Sequence, residues 1–226
     1  MVLTAAPRLP LADGSEIATG FWAQEYAVPW QVLAEFGHDL AAATPGGRPA
    51  ALDPLCFEPQ FHRGDAGKKL RSLLESIPDW RAPLAVEELV DTGEEFDAVF
   101  FPGGHGPTVD LADSPAVGTL VHRTAGRQRP IAAVCHGAAA LLAAGEPWPF
   151  AAFRMTCFSP EDELRAGLAG KLPWLLADRL AARGASLTFA HPGTEHVVVD
   201  RNLCTGQNPA SARFLAVCLS RRLDRR

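Results

Sequence analysis

Apolar and polar positions along the 226-residue chain fall into two alternating kinds of run. The short apolar runs "DAVFF" (97–101) and "PIAAV" (130–134) end in turn signals, Pro-Gly-Gly after the first and Cys-His-Gly after the second. "SLTFA" (186–190) and "HVVVD" (196–200) show the period-two, β-branched pattern of strands. "VLTA" (2–5) reads as a first strand, short for the centre of a sheet, so either the chain starts at a sheet edge or its beginning is truncated. Between these runs lie helical patterns: "WQVLAEFG", "SPAVGTLVHRTAG", "GAAALLAAG", "WLLADRLAARG" and "NPASARFLAVCLSRRL". Several stop at glycine, the residue that most easily takes the left-handed cap. Such alternation predicts an α/β fold, a mainly parallel sheet with helices on both faces. No repeat or long linker divides the chain, so residues 1–226 read as a single domain.

Pro29 refines one boundary. A proline is costly inside a helix and cheap at its first position. The helix of "QEYAVPWQVLAEFG" is therefore expected to begin near Pro29, with Glu25 on the turn before it.

Charge narrows the partners. The net charge is −5 and the pI about 5.8, with both signs scattered along the chain. That disfavours nucleic acid and anionic membranes, which select basic patches. The basic "SRRLDRR" at the end suits the C-terminus of a last helix. No apolar run reaches the length of a membrane span, and the start lacks signal-peptide character. Five dispersed cysteines with no C-x-x-C argue for reduced thiols and a cytoplasmic setting.

The chemistry gathers at the ends of two strands, where ligands bind in parallel sheets. Cys135 sits at the joint between "PIAAV" and "GAAALLAAG", where a strand-to-helix turn would aim the free N–H groups of the following helix at the sulfur and favour a thiolate. Gly137 lets the backbone turn there, in the manner of a nucleophile elbow. "FFPGGHGPTVDL" (100–111) ends the neighbouring strand and leaves backbone N–H groups able to approach an oxyanion. Asn208 before Pro209 has the pattern of a helix N-cap. Trp22 and Trp30 flank a helix and could pack in the core or line a pocket. "HPGTEH" (191–196) has two histidines and a glutamate, but Glu195 lies four residues after His191, not the two of the glutaminase His-Glu pair.

Taken together, "FDAVFFPGGHGPTVDL", "PIAAVCHGAAALL", "GFWAQEYAVPWQVLAEFGHDLAAATPGG" and "VVVDRNLCTGQNPASA" resemble the ThiJ/PfpI superfamily. This is a flavodoxin-like relative of the class I glutamine amidotransferases, and the resemblance is greatest to its glyoxalase III-like, heat-shock-chaperone-like branch. It covers roughly residues 19 to 220 and implies a flavodoxin-like three-layer sandwich, a cofactor-free and metal-free cysteine site, and a homodimer. It aligns Cys135 with the nucleophile, His136 with the adjacent histidine, and Glu25 with the glutamate that contacts the sulfur. Gly104 and His105 match the "GGH" turn, whose amides face the substrate oxygen. Trp22 and Asn208 fall beside the site. The acid that orients His136 maps best to Glu163 in "MTCFSPEDEL", with Glu161 and Asp162 as close alternatives; Cys157 stands where the family usually has glycine.

The resemblance implies a small aldehyde or dicarbonyl substrate. Methylglyoxal would be converted to lactate, a 2-hydroxy acid, through a Cys135 hemithioacetal without glutathione. A stress-response holdase chaperone or a cysteine redox sensor is the alternative, and an amide hydrolase or peptidase a third reading.

Overall fold

The computed structural model describes residues 1–224; the final two arginines of the basic C-terminal segment lie outside the described residues. β1 (Arg8–Pro10) and β2 (Glu16–Ala18) make an antiparallel hairpin near the chain start. β3 (Ala43–Thr44) and β4 (Leu84–Ala85) pair in parallel. The central strands are β5 (Val99–Phe101) and β6 (Ile131–Val134). Then come the short parallel pair β7 (Arg154–Met155) and β8 (Ser186–Leu187), followed by β9 (Val197–Asp200) and β10 (Leu203–Gly206).

The main sheet runs β5–β6–β10–β9, with β9 alone antiparallel. Val2 joins it to β3 and β4: it bridges Ala43 in parallel and donates its N–H to the Phe100 carbonyl at 2.9 Å. The first strand is thus a single bridge placed inside the sheet, not at an edge as one reading of its shortness allowed. Register brings the strand ends level, Phe101 beside Ala133 and Val134 beside Gly206. The segments that follow them meet at one rim.

Period-two alternation assigns each face. Val99, Phe101, Ile131, Ala133 and Leu203 enter one core, while Phe100, Ala132, Val134 and Cys204 enter the other. Helices cover both. α1 (Ala23–Glu35) is followed by α2 (Ala66–Glu75), α3 (Val86–Asp91), α4 (Pro107–Asp110) and α5 (Pro115–Gly126). α6 (Pro160–Arg165), α7 (Leu176–Ala182) and α8 (Ala212–Leu223) complete the set. α1 packs against α8 on the second face, and α3, α5 and α7 lie on the first. This is a flavodoxin-like α/β sandwich.

Four expectations change. α1 starts at Ala23, so Pro29 is interior and Glu25 lies in the first turn of the helix. An interior proline costs about 3 kcal/mol and leaves one carbonyl without its helical partner. Full burial of Ala23, Tyr26 and Ala27 outweighs that cost and carries the helix through. The "GAAALLAAG" stretch is not an α-helix; Cys135–Ala144 coils as a tighter 3₁₀ run. "SLTFA" contributes only Ser186–Leu187, off the main sheet. Finally, β10 occupies the sheet interior although periodicity did not mark it as a strand. Its hairpin with β9 turns through Arg201, at φ +50°, with no glycine or proline to signal it.

Candidate active site

The site begins with one backbone torsion. Cys135 follows β6 directly and has φ +56°, a left-handed conformation that a non-glycine residue adopts at a cost of about 1–2 kcal/mol. The turn places the thiol at the sheet rim. Gly137 is required just after it, because a Cβ there would overlap the carbonyl of Phe101. Cys135 Sγ lies 3.4 Å from His136 Nδ1.

His136 is fully enclosed, and its Nε2 donates to Glu163 Oε1 at 2.6 Å. Glu163 reaches it from the first turn of α6, which Ser159 and Asp162 cap reciprocally. That cap occupies Asp162, which also accepts from Gln207 and Gly193. Glu161 is exposed and faces Arg165. Of the three acids on this helix, Glu163 therefore meets the histidine. Cys157 is buried and its backbone lies outside the left-handed region, so no glycine is needed there.

Glu25 enters from α1. Its Oε2 accepts the Gly103 N–H at 2.9 Å, and Oε1 has no hydrogen-bond partner among the described residues. A Cβ on Gly103 would fall 2.7 Å from Cys135 Cβ and against the Glu25 carboxylate. Only glycine lets these groups converge. Burial pushes the Glu25 carboxyl up to about 8, a rise that contacts with the Cys135 thiol and the Gly103 amide only partly offset. At neutral pH it is a neutral acid.

Burial also pushes the Cys135 thiol well up, and the Glu25 carboxylate, once ionised, pushes it further, against the pull of the Gly104 and His136 amides. The expected thiolate gives way to a resting thiol, because desolvation outweighs the amides of the turn. Burial drives the His136 imidazole down to about 4, so it is a neutral base at neutral pH. Burial would raise Glu163 as well, but the imidazoles of His136 and His105 hold it well below the usual carboxylate range. The arrangement is a thiol beside a neutral imidazole, an ionised acid behind the imidazole, and a protonated acid on the other side of the sulfur.

Gly104, at φ +89°, turns its amide to the sulfur. His105 does more than serve the turn. Its Nε2 lies 3.1 Å from Glu163 Oε2, and its ring stacks on His136 with centroids 4.0 Å apart. Sequence reasoning missed this side-chain contact, which joins residues 58 positions apart. Trp22 caps α1, donates its amide to the Gly103 carbonyl and sets its ring edge-on to Phe61. Asn208 caps the turn before α8 and bonds Ala210, Thr194 and Ser211; none of its hydrogen bonds among the described residues reaches Cys135, His136 or Glu163.

A small, mostly apolar chamber of about 140 Å³ opens against His136 and Glu163, walled by Leu9, Val109 and Trp174. A larger cleft of about 680 Å³ lies by Met1, His38 and Asp97, at the starts of the strands, and holds none of these groups. His191 and His196 do not converge; they bond Arg165 and Thr188 respectively. His105, His136 and Glu163 bring ligand-type atoms within 4.8 Å of one another, with both carboxylate oxygens already engaged by the imidazoles.

No helix among the described residues is long and apolar enough to cross a membrane. Known proteins resemble this chain along nearly its whole length. A bovine (Bos taurus) glutamine amidotransferase-like class 1 domain-containing protein 1 is 30% identical over 231 residues, spanning 96% of this chain and all of the relative. The protein/nucleic acid deglycase HchA of Pseudomonas aeruginosa (strain UCBPP-PA14) is 28% identical across 95% of this chain and 77% of its own. The crystal structure of glyoxalase III from Candida albicans superposes with a TM-score of 0.76 at 21% identity, covering 96% of this chain and 93% of that one. The model of the DJ-1/PfpI family matches residues 16–221. Spanning almost the whole sheet and the Cys135 turn, that match agrees with the motifs: the chain belongs to the DJ-1/PfpI family.

Proposed function

We propose that this protein is a cofactor-independent cysteine enzyme that converts reactive dicarbonyls such as methylglyoxal to 2-hydroxy acids, forming lactate in that case. The observation that carries the reading is Cys135 flanked by a neutral imidazole at 3.4 Å on one side and the buried, protonated Glu25 on the other. The deglycase HchA and glyoxalase III among its relatives support activity on carbonyl or glycation chemistry.

His136 takes the thiol proton as sulfur attacks the aldehyde carbon, and Glu25 protonates the aldehyde oxygen to give a hemithioacetal. The Gly104 amide, turned toward the sulfur in the free protein, is next to the carbon that sulfur attacks and stabilises its oxygen. Glu25, now a carboxylate, removes the C1 hydrogen as a proton, while the imidazolium of His136 protonates the neighbouring oxygen to give an enediol. Glu25 delivers its proton to C2 and recovers one from the C1 hydroxyl. This leaves a lactoyl thioester, with Glu25 protonated and His136 neutral as at the start. Water, deprotonated by His136, hydrolyses the thioester and restores the thiol. The electron pair moves within the substrate, so no external oxidant or reductant is required. A carboxyl with pKa about 8 suits both halves of the proton transfer.

The test is incubation with methylglyoxal without glutathione, assayed for lactate, with Cys135→Ala in parallel. Lactate from the wild type alone is expected. Lactate from the variant, or from neither protein, would overturn the reading.

A further inference from the structure

Glu163 has two carboxylate oxygens and each is taken by a different histidine: Oε1 by His136 at 2.6 Å and Oε2 by His105 at 3.1 Å. The imidazole rings stack at 4.0 Å, tilted by 36°. They differ in exposure, with the His105 side chain 16% accessible and that of His136 1%. The inner imidazole therefore touches the sulfur, and the outer one can exchange protons with water.

We propose that His105 is a positioning residue for Cys135 chemistry, and that its charge state decides whether His136 can take the thiol proton. The proposal rests on Cys135 being the nucleophile, but not on the dicarbonyl as substrate. When His105 is neutral, its N–H fixes the second oxygen of Glu163 and leaves the carboxylate charge directed at His136. When His105 is protonated, it forms an ion pair with Glu163 and spends that charge. It also sets a cation beside the ring that must itself become a cation. Of the charges near His136, His105 opposes its protonation while Glu163 and Asp162 favour it.

The other groups around this device are accounted for. His105 is faced by Glu163 from α6, by His136 from the Cys135 turn and by Asp53 from the segment before Leu55. Phe158 packs edge-on to His105 and tilted against His136, and carries no charge. The groups whose charge bears on the sulfur are Glu163 and, once ionised, Glu25, so His105 acts chiefly through His136.

The experiment measures alkylation of Cys135 by iodoacetamide against pH, followed by mass spectrometry of the peptide that contains it. It compares wild type, His105→Gln, His105→Asn and His105→Ala. His105→Gln keeps an N–H donor and loses the ionisable ring. The expected result is an acid limb displaced to lower pH by at least half a unit, giving more than twofold faster alkylation than wild type on that limb. His105→Ala also loses the donor, and its plateau at high pH should fall at least threefold below that of His105→Gln. An acid limb in both amide variants that coincides with wild type would overturn the charge role. Equal plateaus for the alanine and amide variants would overturn the positioning role. Should the alanine variant fail to fold, the Gln and Asn profiles decide the charge role, and the His136 ring-nitrogen shifts of the Gln variant, recorded above the acid limb where neither protein carries a charge at position 105, decide positioning: wild-type shifts support it and altered shifts overturn it. A displaced limb in a protein that makes no lactate would refute the dicarbonyl reading and leave this one standing.

Discussion

Cys135 Sγ and His136 Nδ1 face each other at 3.4 Å although the two residues are consecutive. Along a strand, neighbouring side chains point to opposite faces. The left-handed torsion at Cys135 breaks that rule at the last residue where the strand could continue, and the two functional groups converge. The thiol–imidazole pair therefore depends on whatever holds the imidazole from behind.

That support is Glu163, and its removal has a defined cost. Glu163→Gln keeps the shape but takes away the negative charge that favours a cationic His136. Turnover should fall about a hundredfold or more, as when the acid behind a catalytic histidine is neutralised. Steady-state kcat on methylglyoxal measures it; a loss below about threefold would show that the carboxylate does not act through His136.

Glu25 makes stability depend on pH. Its folded pKa, about 8, lies above the ordinary carboxylate value of 4.5. Between these values the folded state keeps a proton that the unfolded chain releases. Its contribution is fully present below pH 4.5 and is lost as pH rises through 8, at up to about 1.4 kcal/mol per pH unit. Glu25→Gln cannot ionise, so its stability advantage over wild type should grow from pH 5 to pH 9. Urea unfolding at several pH values reads the difference; parallel curves would refute it.

Gly103 is the point where α1, the glycine turn and Cys135 come closest. Gly103→Ala places a methyl group against Cys135 Cβ and the Glu25 carboxylate. A loss of about 1–3 kcal/mol is expected from overpacking, with slower alkylation of Cys135 as the groups are pushed apart. Denaturant midpoints and alkylation rates measure the two effects separately.

Tyr26 offers a control away from the chemistry. Its ring is fully buried beside Phe21 and Trp30, and its hydroxyl has no hydrogen-bond partner among the described residues. A buried, unsatisfied hydroxyl costs about 1–3 kcal/mol, so Tyr26→Phe should leave stability unchanged or raise it. Thermal unfolding that falls by several degrees would show that the hydroxyl is satisfied in solution.

The α/β class, the strands ending at Phe101 and Val134, and the Cys135–His136 and Gly103–His105 turns were legible in the sequence. They rest on local physics: period-two burial, glycine where backbone must approach backbone, and a thiol at a strand-to-turn joint. Glu25 and Glu163 were reached through resemblance to a family, since nothing in their neighbourhoods marks them. Only the tertiary structure decided the rest. It carried α1 through Pro29, because burial of Tyr26 and Ala27 outweighs one lost hydrogen bond. It put β10 between β6 and β9 through a turn without glycine or proline. It kept the thiol protonated, because desolvation depends on everything packed around Cys135. And it set His105 on the far oxygen of Glu163, a bond between residues 58 positions apart. Local patterns describe how a segment meets water; burial and long-range hydrogen bonds exist only once the segments have met one another.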